Sequence, residues 1–141
     1  MKTVIVTGAS QGIGAGVANL FLERGYNVVA NSRNITGKNE LSRSDQLALV
    51  DGDIGQEATA RRIVDIAVQR FGSIDGLVNN AGVFIAKPFV DYSSEDFRKL
   101  STTNLDGFIY ITQLTARRML AQKSGGSIVN ITASQIGRAH V

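Results

Sequence analysis

Short apolar segments alternate with longer amphipathic segments along this 141-residue chain. The predicted strands are residues 3–6, 27–30, 46–50, 74–78 and 127–131. Most lack the in-and-out alternation of a sheet with one wet face, so both faces of the sheet should be buried. The predicted helices are residues 12–24, 56–71 and 102–122. Together these segments predict an α/β fold with a doubly wound parallel sheet, covered by helices on both faces.

Apolar residues at three- and four-residue spacing indicate which face of each helix packs on the sheet. On the first helix they are Ile13, Val17, Leu20 and Phe21. On the second they are Ile63, Ile66, Ala67 and Phe71. Residues 35–45 are polar and aperiodic, which predicts a loop, and Ser93 is placed to cap a further helix over Glu95 and Asp96.

Composition excludes several classes of protein. Hydrophobic residues make up 43% and charged residues 19% of the chain, which suits one globular domain. No apolar run approaches the roughly 18 residues of a membrane-spanning helix. Cysteine is absent and the only histidine is His140, so we expect no disulfide and no metal site. The net charge of +3 is weak and scattered, so we expect a cytoplasmic protein without a nucleic-acid or membrane partner.

A glycine-rich turn follows the first strand directly. It reads Thr7-Gly8-Ala9-Ser10-Gln11-Gly12-Ile13-Gly14, with glycines spaced G-x-x-x-G-x-G. Glycines allow a tight turn and a close approach to a phosphate, and the helix that follows offers free N–H groups and a positive dipole end. The turn therefore indicates a dinucleotide site, although a strand-to-helix turn without any ligand has the same pattern.

This glycine turn resembles that of the short-chain dehydrogenase/reductase family. Further stretches match the family in order: Asp53-Ile54 after the third strand, residues 79–82 (Asn-Asn-Ala-Gly) after the fourth, Asn104 on the long helix, and residues 126–131. The resemblance implies that residues 1–134 form an incomplete NAD(P)-binding Rossmann domain. It also implies a sheet that stops after about five strands in the order 3-2-1-4-5.

The resemblance, together with the end of the second strand, assigns a set of cofactor-binding residues. They are Gly8, Ser10, Gln11, Gly12, Ile13, Gly14, Ser32, Arg33, Asp53, Ile54, Asn80, Ala81 and Gly82. Simpler roles remain open for some of them. Asp53 could cap the helix ahead of Gln56, Asn80 could satisfy backbone groups at a strand end, and Asn104 could be an ordinary surface residue.

The end of the second strand favours NADP over NAD. An NAD site usually has an acid there to bind the ribose 2′-hydroxyl, but residues 25–39 contain no Asp or Glu. Ser32 and Arg33 stand there instead, and a guanidinium can pair with a 2′-phosphate in a forked geometry. Gln11 stands where NADP-preferring relatives often have a second basic residue, and Arg33 could also be a solvated surface arginine.

The resemblance implies an oxidoreductase of the carbonyl reductase or alcohol dehydrogenase type. Such a protein moves hydride between the nicotinamide and a small carbonyl or alcohol substrate, and it is expected to be a homo-oligomer. Asn104 and Ser134 are the catalytic residues assigned here, although an ungapped match places Ala133 at the family's Ser. The family's Tyr-x-x-x-Lys motif does not occur in the chain, so a non-catalytic dinucleotide-binding protein or pseudoenzyme is the alternative.

The last seven residues have an unusual sequence. Residues 136–141 are what ATCGGAAGAGCACACGTC encodes, and this DNA resembles a widely used sequencing adapter. We therefore predict that residues 135–141 are a non-native tail, the alternative being a genuine C-terminus. Genomic DNA from the same source distinguishes the two.

We expect residues 1–141 to show no reductase activity, because the family's proton donor, the Tyr, is not among them. We also expect self-association, because the strand at 127–131 would be an open apolar edge and Phe108, Ile109 and Ile111 would be partly exposed. NADPH oxidation with a panel of carbonyl compounds and size-exclusion chromatography test both expectations. Reproducible turnover by a clean monomer would contradict them.

Overall fold

The computed structural model describes residues 1–132. The strands are β1 (Thr3–Thr7), β2 (Asn27–Ser32), β3 (Leu47–Asp51), β4 (Gly76–Asn79) and β5 (Ser127–Asn130). The helices are α1 (Gly12–Glu23), α2 (Glu57–Phe71), α3 (Ser94–Ser101) and α4 (Gly107–Gln122), with a 3₁₀ turn at Phe89–Asp91. A π-helical segment, Thr102–Asp106, joins α3 to α4.

All five strands run parallel in the order β3-β2-β1-β4-β5, which confirms the predicted fold class. The central strand β1 pairs with β2 on one side, where Ile5 is level with Val29. On its other side β1 pairs with β4, where Ile5 is level with Leu77. The chain order reverses between these two pairings, and in open parallel sheets ligands bind at such a switch point, beyond the carboxyl ends of the strands.

Two apolar cores lie on opposite faces of the sheet. Ile5 points into the core that α2 and α4 cover, whereas its neighbours Val4 and Val6 point into the core that α1 covers. All residues of β1 are buried, as expected for a strand between two layers of helices. Burial of each such Val or Ile side chain stabilises the fold by about 1.5–3 kcal/mol, so the packed sheet fixes where its strands end.

The buried face of α1 differs from the prediction. Ile13 is 67% exposed and Leu20 is 48% exposed, whereas Ala15 and Ala18 are buried together with Gly14. Small residues let the helix axis approach the sheet closely, so the contact face follows them rather than the largest apolar side chains. Val17 and Phe21 pack at its margin, as predicted.

The face of α2 agrees with the prediction. Ile63 and Ala67 are buried, and Ile66 and Phe71 pack partly against the same core. The helix ends at Gly72, whose φ of +86° is the left-handed conformation common at helix C-termini.

The helical stretch before β5 begins earlier than the predicted residue 102. Ser93 caps α3 as predicted, because its hydroxyl accepts a hydrogen bond from Asp96 N while the Asp96 carboxylate accepts one from Ser93 N. Further along, Ile111 is fully buried, which corrects the expectation that it is partly exposed, whereas Ile109 is exposed. One face of α4 packs on the sheet, and Ile111 lies on that face.

The strand β5 lies at the edge of the sheet and all four of its residues are exposed, as expected from the sequence. At the opposite edge, β2 and β3 are joined without a helix, which agrees with the loop predicted for residues 35–45. Within residues 1–132, every helix is too short or too polar to cross a membrane.

Replacing Ser93 with Ala should lower the free energy of unfolding by about 1 kcal/mol, because the cap of α3 loses its acceptor. Thermal unfolding followed by circular dichroism measures the change, with Ser94→Ala, one residue into the helix, as control. Equal unfolding temperatures for Ser93→Ala and Ser94→Ala would contradict the capping role.

Hydrogen bonds from Lys87 and Ser93 lower the pKa of Asp96 to about 2. The contribution of its carboxylate is therefore full above the ordinary pKa of 3.8 and is lost as the pH falls towards 2.

Candidate functional site

The carboxyl ends of the strands bring the motif residues together at one edge of the sheet. The glycine turn follows β1, Ser32 ends β2 and Arg33 follows it, Asp53 follows β3, and residues 80–82 follow β4. Since all strands run parallel, these ends meet on the same side.

Two glycines of the turn are required by their surroundings. Gly8 has a φ of +62°, and a Cβ there would lie 2.8 Å from the Cα of Ala81. A Cβ on Gly14 would overlap the carbonyl oxygen of Gly8 and lie 2.5 Å from Asn80 Nδ2. Gly8 thus allows the β1 turn to pass close to the β4 turn, and Gly14 allows α1 to begin directly against it.

The Thr7 hydroxyl and the Asn80 side chain connect the ends of β1 and β4. Thr7 Oγ1 accepts hydrogen bonds from Asn80 N at 3.1 Å and Ala81 N at 3.0 Å. In return, Asn80 Nδ2 donates to the carbonyl oxygen of Gly8 at 2.9 Å. Asn80 therefore satisfies the backbone of the glycine turn, the simpler role left open by the sequence. We call these three bonds the Thr7–Asn80 clamp.

The end of β2 is fixed by Asn31, which the sequence did not assign to the site. The buried Asn31 side chain donates to the backbone carbonyl oxygens of Val50 and Gly52. The backbone carbonyl oxygen of Asn31 accepts from Ala9 N. Asn31 thereby joins the ends of three strands. Arg33 follows on an exposed position, with no ion pair among residues 1–132.

The loop after β2 folds back over the glycine turn. The backbone N–H and the hydroxyl of Thr36 both donate hydrogen bonds to the Asp51 carboxylate. These bonds hold the pKa of the Asp51 carboxyl below its ordinary value, and the bond from the hydroxyl contributes most. Further along, Glu40 N donates to the carbonyl oxygen of Ser10 at 2.9 Å. The Glu40 carboxylate accepts from Gly12 N at 3.1 Å, so an acid that the sequence did not assign lies on the glycine turn.

Asp53 does not cap α2 with its side chain, the alternative that the sequence left open. Its Oδ1 accepts a hydrogen bond from Gly55 N at 2.9 Å, and the helix begins after Gln56 with no side-chain cap. The second oxygen, Oδ2, makes no hydrogen bond within residues 1–132. Asp53 thus presents one unpaired carboxylate oxygen beside the end of β3.

Asn104 lies in the π-helical segment and pairs with the backbone beyond β4. Its Oδ1 accepts from Val83 N at 2.8 Å, and its Nδ2 donates to the Val83 carbonyl oxygen at 3.0 Å. A π-helical turn inside a longer helix often marks a functional site. Both ends of the amide are used, so the side chain fixes the course of residues 82–83 and is more than a solvated surface group.

Two adjoining clefts form one open groove beyond the strand ends, which we call the carboxyl-end groove. The predicted residues that line it are Gly8, Ser10, Gln11, Ser32, Arg33, Asp53, Ile54, Ala81 and Gly82. Gly12, Ile13, Gly14 and Asn80 do not line it, although Gly14 and Asn80 shape its floor. Asn31, Lys38, Glu40 and Thr103 line it without having been predicted. Ser134 lies outside the described residues.

A glycine turn that leads from a strand into a helix, at the carboxyl ends of a parallel sheet, is the arrangement in which Rossmann-like folds bind dinucleotides. The model of the short chain dehydrogenase family matches residues 2–141. The chain belongs to this family.

Two curated relatives illustrate the match to the short-chain dehydrogenase family. The NADP-dependent (R)-specific alcohol dehydrogenase of Lentilactobacillus kefiri is 35% identical over 136 residues, which cover 94% of this chain and 54% of the relative. The L-rhamnose 1-dehydrogenase (NAD(P)(+)) of Azotobacter vinelandii is 38% identical over 141 aligned residues, covering 94% and 55%. The chain therefore spans about half the length of the curated relatives it matches.

A solved relative confirms the Rossmann-like fold. The 3-ketoacyl-(acyl-carrier-protein) reductase of Brucella melitensis, complexed with NADH, has a TM-score of 0.89 and 26% identity. The match covers 99% of this chain and 61% of the reductase. The chain thus has the Rossmann-like fold of the matched 61% of this reductase.

Replacing Thr7 with Val should loosen the Thr7–Asn80 clamp, because the variant keeps the shape of the side chain but leaves two N–H groups without an acceptor. We expect the free energy of unfolding to fall by about 1–3 kcal/mol. Urea unfolding followed by circular dichroism measures this, and Thr7→Ser, which retains the hydroxyl, is the matched control. The clamp would be refuted if the two variants unfolded at the same urea concentration.

Proposed function

We propose that this chain forms the cofactor-binding part of an NADP(H)-dependent oxidoreductase that acts on a small carbonyl or alcohol compound. The observation that carries the proposal is the carboxyl-end groove, which has Ser32 and Arg33, rather than an acid, at the end of β2. Its relatives, which include an alcohol dehydrogenase, a sugar dehydrogenase and a ketoacyl reductase, support the reaction class.

The phosphates of the cofactor fit the glycine turn. The turn opens into the groove at Ser10 and Gln11, and a Cβ placed on Gly12 would meet nothing within 4 Å, so space exists above the backbone. In our proposal the N–H groups at the start of α1 and the Ser10 hydroxyl bind the pyrophosphate, which the positive end of the helix dipole favours.

The adenosine half would lie across β2 and β3. Arg33 and Ser32 would bind the ribose 2′-phosphate, because both line the groove and the guanidinium has no ion pair within residues 1–132. Asp53 Oδ2, which makes no hydrogen bond within residues 1–132, would accept from the adenine amino group, beside the buried Ile54.

The nicotinamide would lie towards residues 80–83, and when bound it donates or accepts the hydride. The chain's own contribution there is orientation. The Thr7–Asn80 clamp fixes the turn after β4, and Asn104 fixes Val83 by two hydrogen bonds. We assign Asn104 to the active site on this ground and keep Ser134 as the proposed catalytic serine.

Exposed apolar side chains suit a small substrate and an oligomeric assembly. Phe84 and Phe89, after β4, are exposed and offer an apolar wall for a small carbonyl or alcohol compound. Leu105 and Ile109 are exposed along the helical stretch that includes α4, which suits a homo-oligomer that covers them.

The chain should bind NADPH about tenfold more tightly than NADH, because a charge-assisted pair of Arg33 with the 2′-phosphate adds binding energy that NADH lacks. Arg33→Asp should reverse this order, since an acid repels the phosphate and can accept from a 2′-hydroxyl. Isothermal titration calorimetry with both cofactors measures the dissociation constants.

Arg43→Asp is the matched control for this experiment, because Arg43 carries the same charge and is exposed beside β3, away from the carboxyl-end groove. It should leave the preference unchanged. Equal affinities for NADPH and NADH in the unmodified chain would refute the proposed choice of cofactor.

A further inference from the structure

Glu40 places a carboxylate on the glycine turn, at the point where a dinucleotide would bring its phosphates. We propose that Glu40 is a specificity-determining residue that opposes phosphate binding in the carboxyl-end groove and weakens the preference for NADP that Arg33 creates. This inference rests on the proposed function, since it assumes that the groove takes a dinucleotide.

The backbone of the loop holds Glu40 against the turn. Glu40 N donates to the Ser10 carbonyl oxygen at 2.9 Å, and Asn19 Nδ2 on α1 donates to the Glu40 carbonyl oxygen at 3.0 Å. Asn19 Oδ1 also accepts from Ser42 N at 2.9 Å. These three bonds involve no atom of the Glu40 side chain, so the loop keeps its place when that side chain is changed.

The Glu40 side chain uses the same chemistry as a phosphate. Its Oε1 accepts from Gly12 N at 3.1 Å, at the start of α1, where helix N–H groups attract anions. A phosphate that approaches this turn must either displace the carboxylate from Gly12 N or bind beside a negative charge. Either event costs binding free energy.

The basic residues of the groove do not neutralise this acid. Arg33 and Lys38 line the same cleft as Glu40, yet within residues 1–132 neither forms an ion pair with it. A phosphate monoester carries close to two negative charges at neutral pH, so the 2′-phosphate of NADPH adds repulsion that NADH does not experience. Glu40 therefore disfavours both cofactors, and NADPH more than NADH.

The test replaces Glu40 with Gln, which keeps an acceptor for Gly12 N and removes only the charge. We expect NADPH to bind about fivefold more tightly and NADH about twofold more tightly, as for loss of one nearby charge in a solvent-exposed site. The 2′,5′-ADP and 5′-AMP fragments, titrated in the same way, should show the same difference. Glu23→Gln, an exposed acid at the end of α1, is the matched control and should change neither affinity.

Salt provides a second readout that a purely structural role would not produce. The gain in Glu40→Gln should shrink between about 0.1 M and 1 M NaCl, because the Debye length falls from about 10 Å to about 3 Å. Unchanged or weaker NADPH binding by Glu40→Gln, while the unmodified chain binds the cofactor, overturns this inference alone. If neither protein binds any of the four nucleotides although circular dichroism shows both folded, the proposed function fails and the inference fails with it.

Discussion

The hydrogen bonds between Thr7 and the turn after β4 hold together the two strands on which the site is built. β1 and β4 are neighbours in the sheet, but beyond Thr7 and Asn79 their chains separate to enter α1 and the segment before α3. Half-buried backbone N–H groups just beyond the end of a strand no longer have a partner in the sheet, so they need other acceptors. The Thr7 hydroxyl supplies one for two of them, and Asn80 serves the carbonyl of Gly8 in return. The opening of the groove is therefore fixed by polar side chains, with the packed sheet as their support.

The fold could be predicted from the sequence because its signals are local. Apolar runs such as 74–78, interrupted by amphipathic stretches and turn residues, leave few arrangements other than a parallel sheet with two helix layers. The face of α1 could not be predicted in the same way. Hydrophobic periodicity emphasises large side chains such as Ile13 and Leu20. The face that packs is instead the one on which the helix can come closest to the sheet, and the small residues Ala15 and Ala18 permit that close contact.

The lining of the carboxyl-end groove was predictable where a motif directly follows a strand, as with Ser10 and Arg33, and less so where contacts join distant segments. Asn31 fixes three strand ends, yet only the pairing of β2 with β1 and β3 reveals this. Glu40 lies in an aperiodic loop, 28 residues from the Gly12 that it contacts, and no periodicity or spacing rule connects them. Asn104 was identified by resemblance, but its two bonds to Val83 depend on the local π-helical turn.

Arg33 and Glu40, which carry opposite charges, line the same groove, so under the proposed function cofactor choice would depend on the difference between two interactions. In the proposed function Arg33 would attract a 2′-phosphate by a forked pair, while Glu40, which accepts from Gly12 N in the same groove, would repel phosphates near the glycine turn. Discrimination depends on the difference in binding free energy between the two cofactors, so a repulsive group can tune it as effectively as an attractive one. The two residues stand on the same loop after β2, which is anchored by Thr36 at one point and by the Glu40 backbone at another. Within residues 1–132 the loop shares no hydrogen bond with the Thr7–Asn80 clamp, so under the proposed function its residues could change cofactor preference without disturbing the clamp or the sheet beneath it.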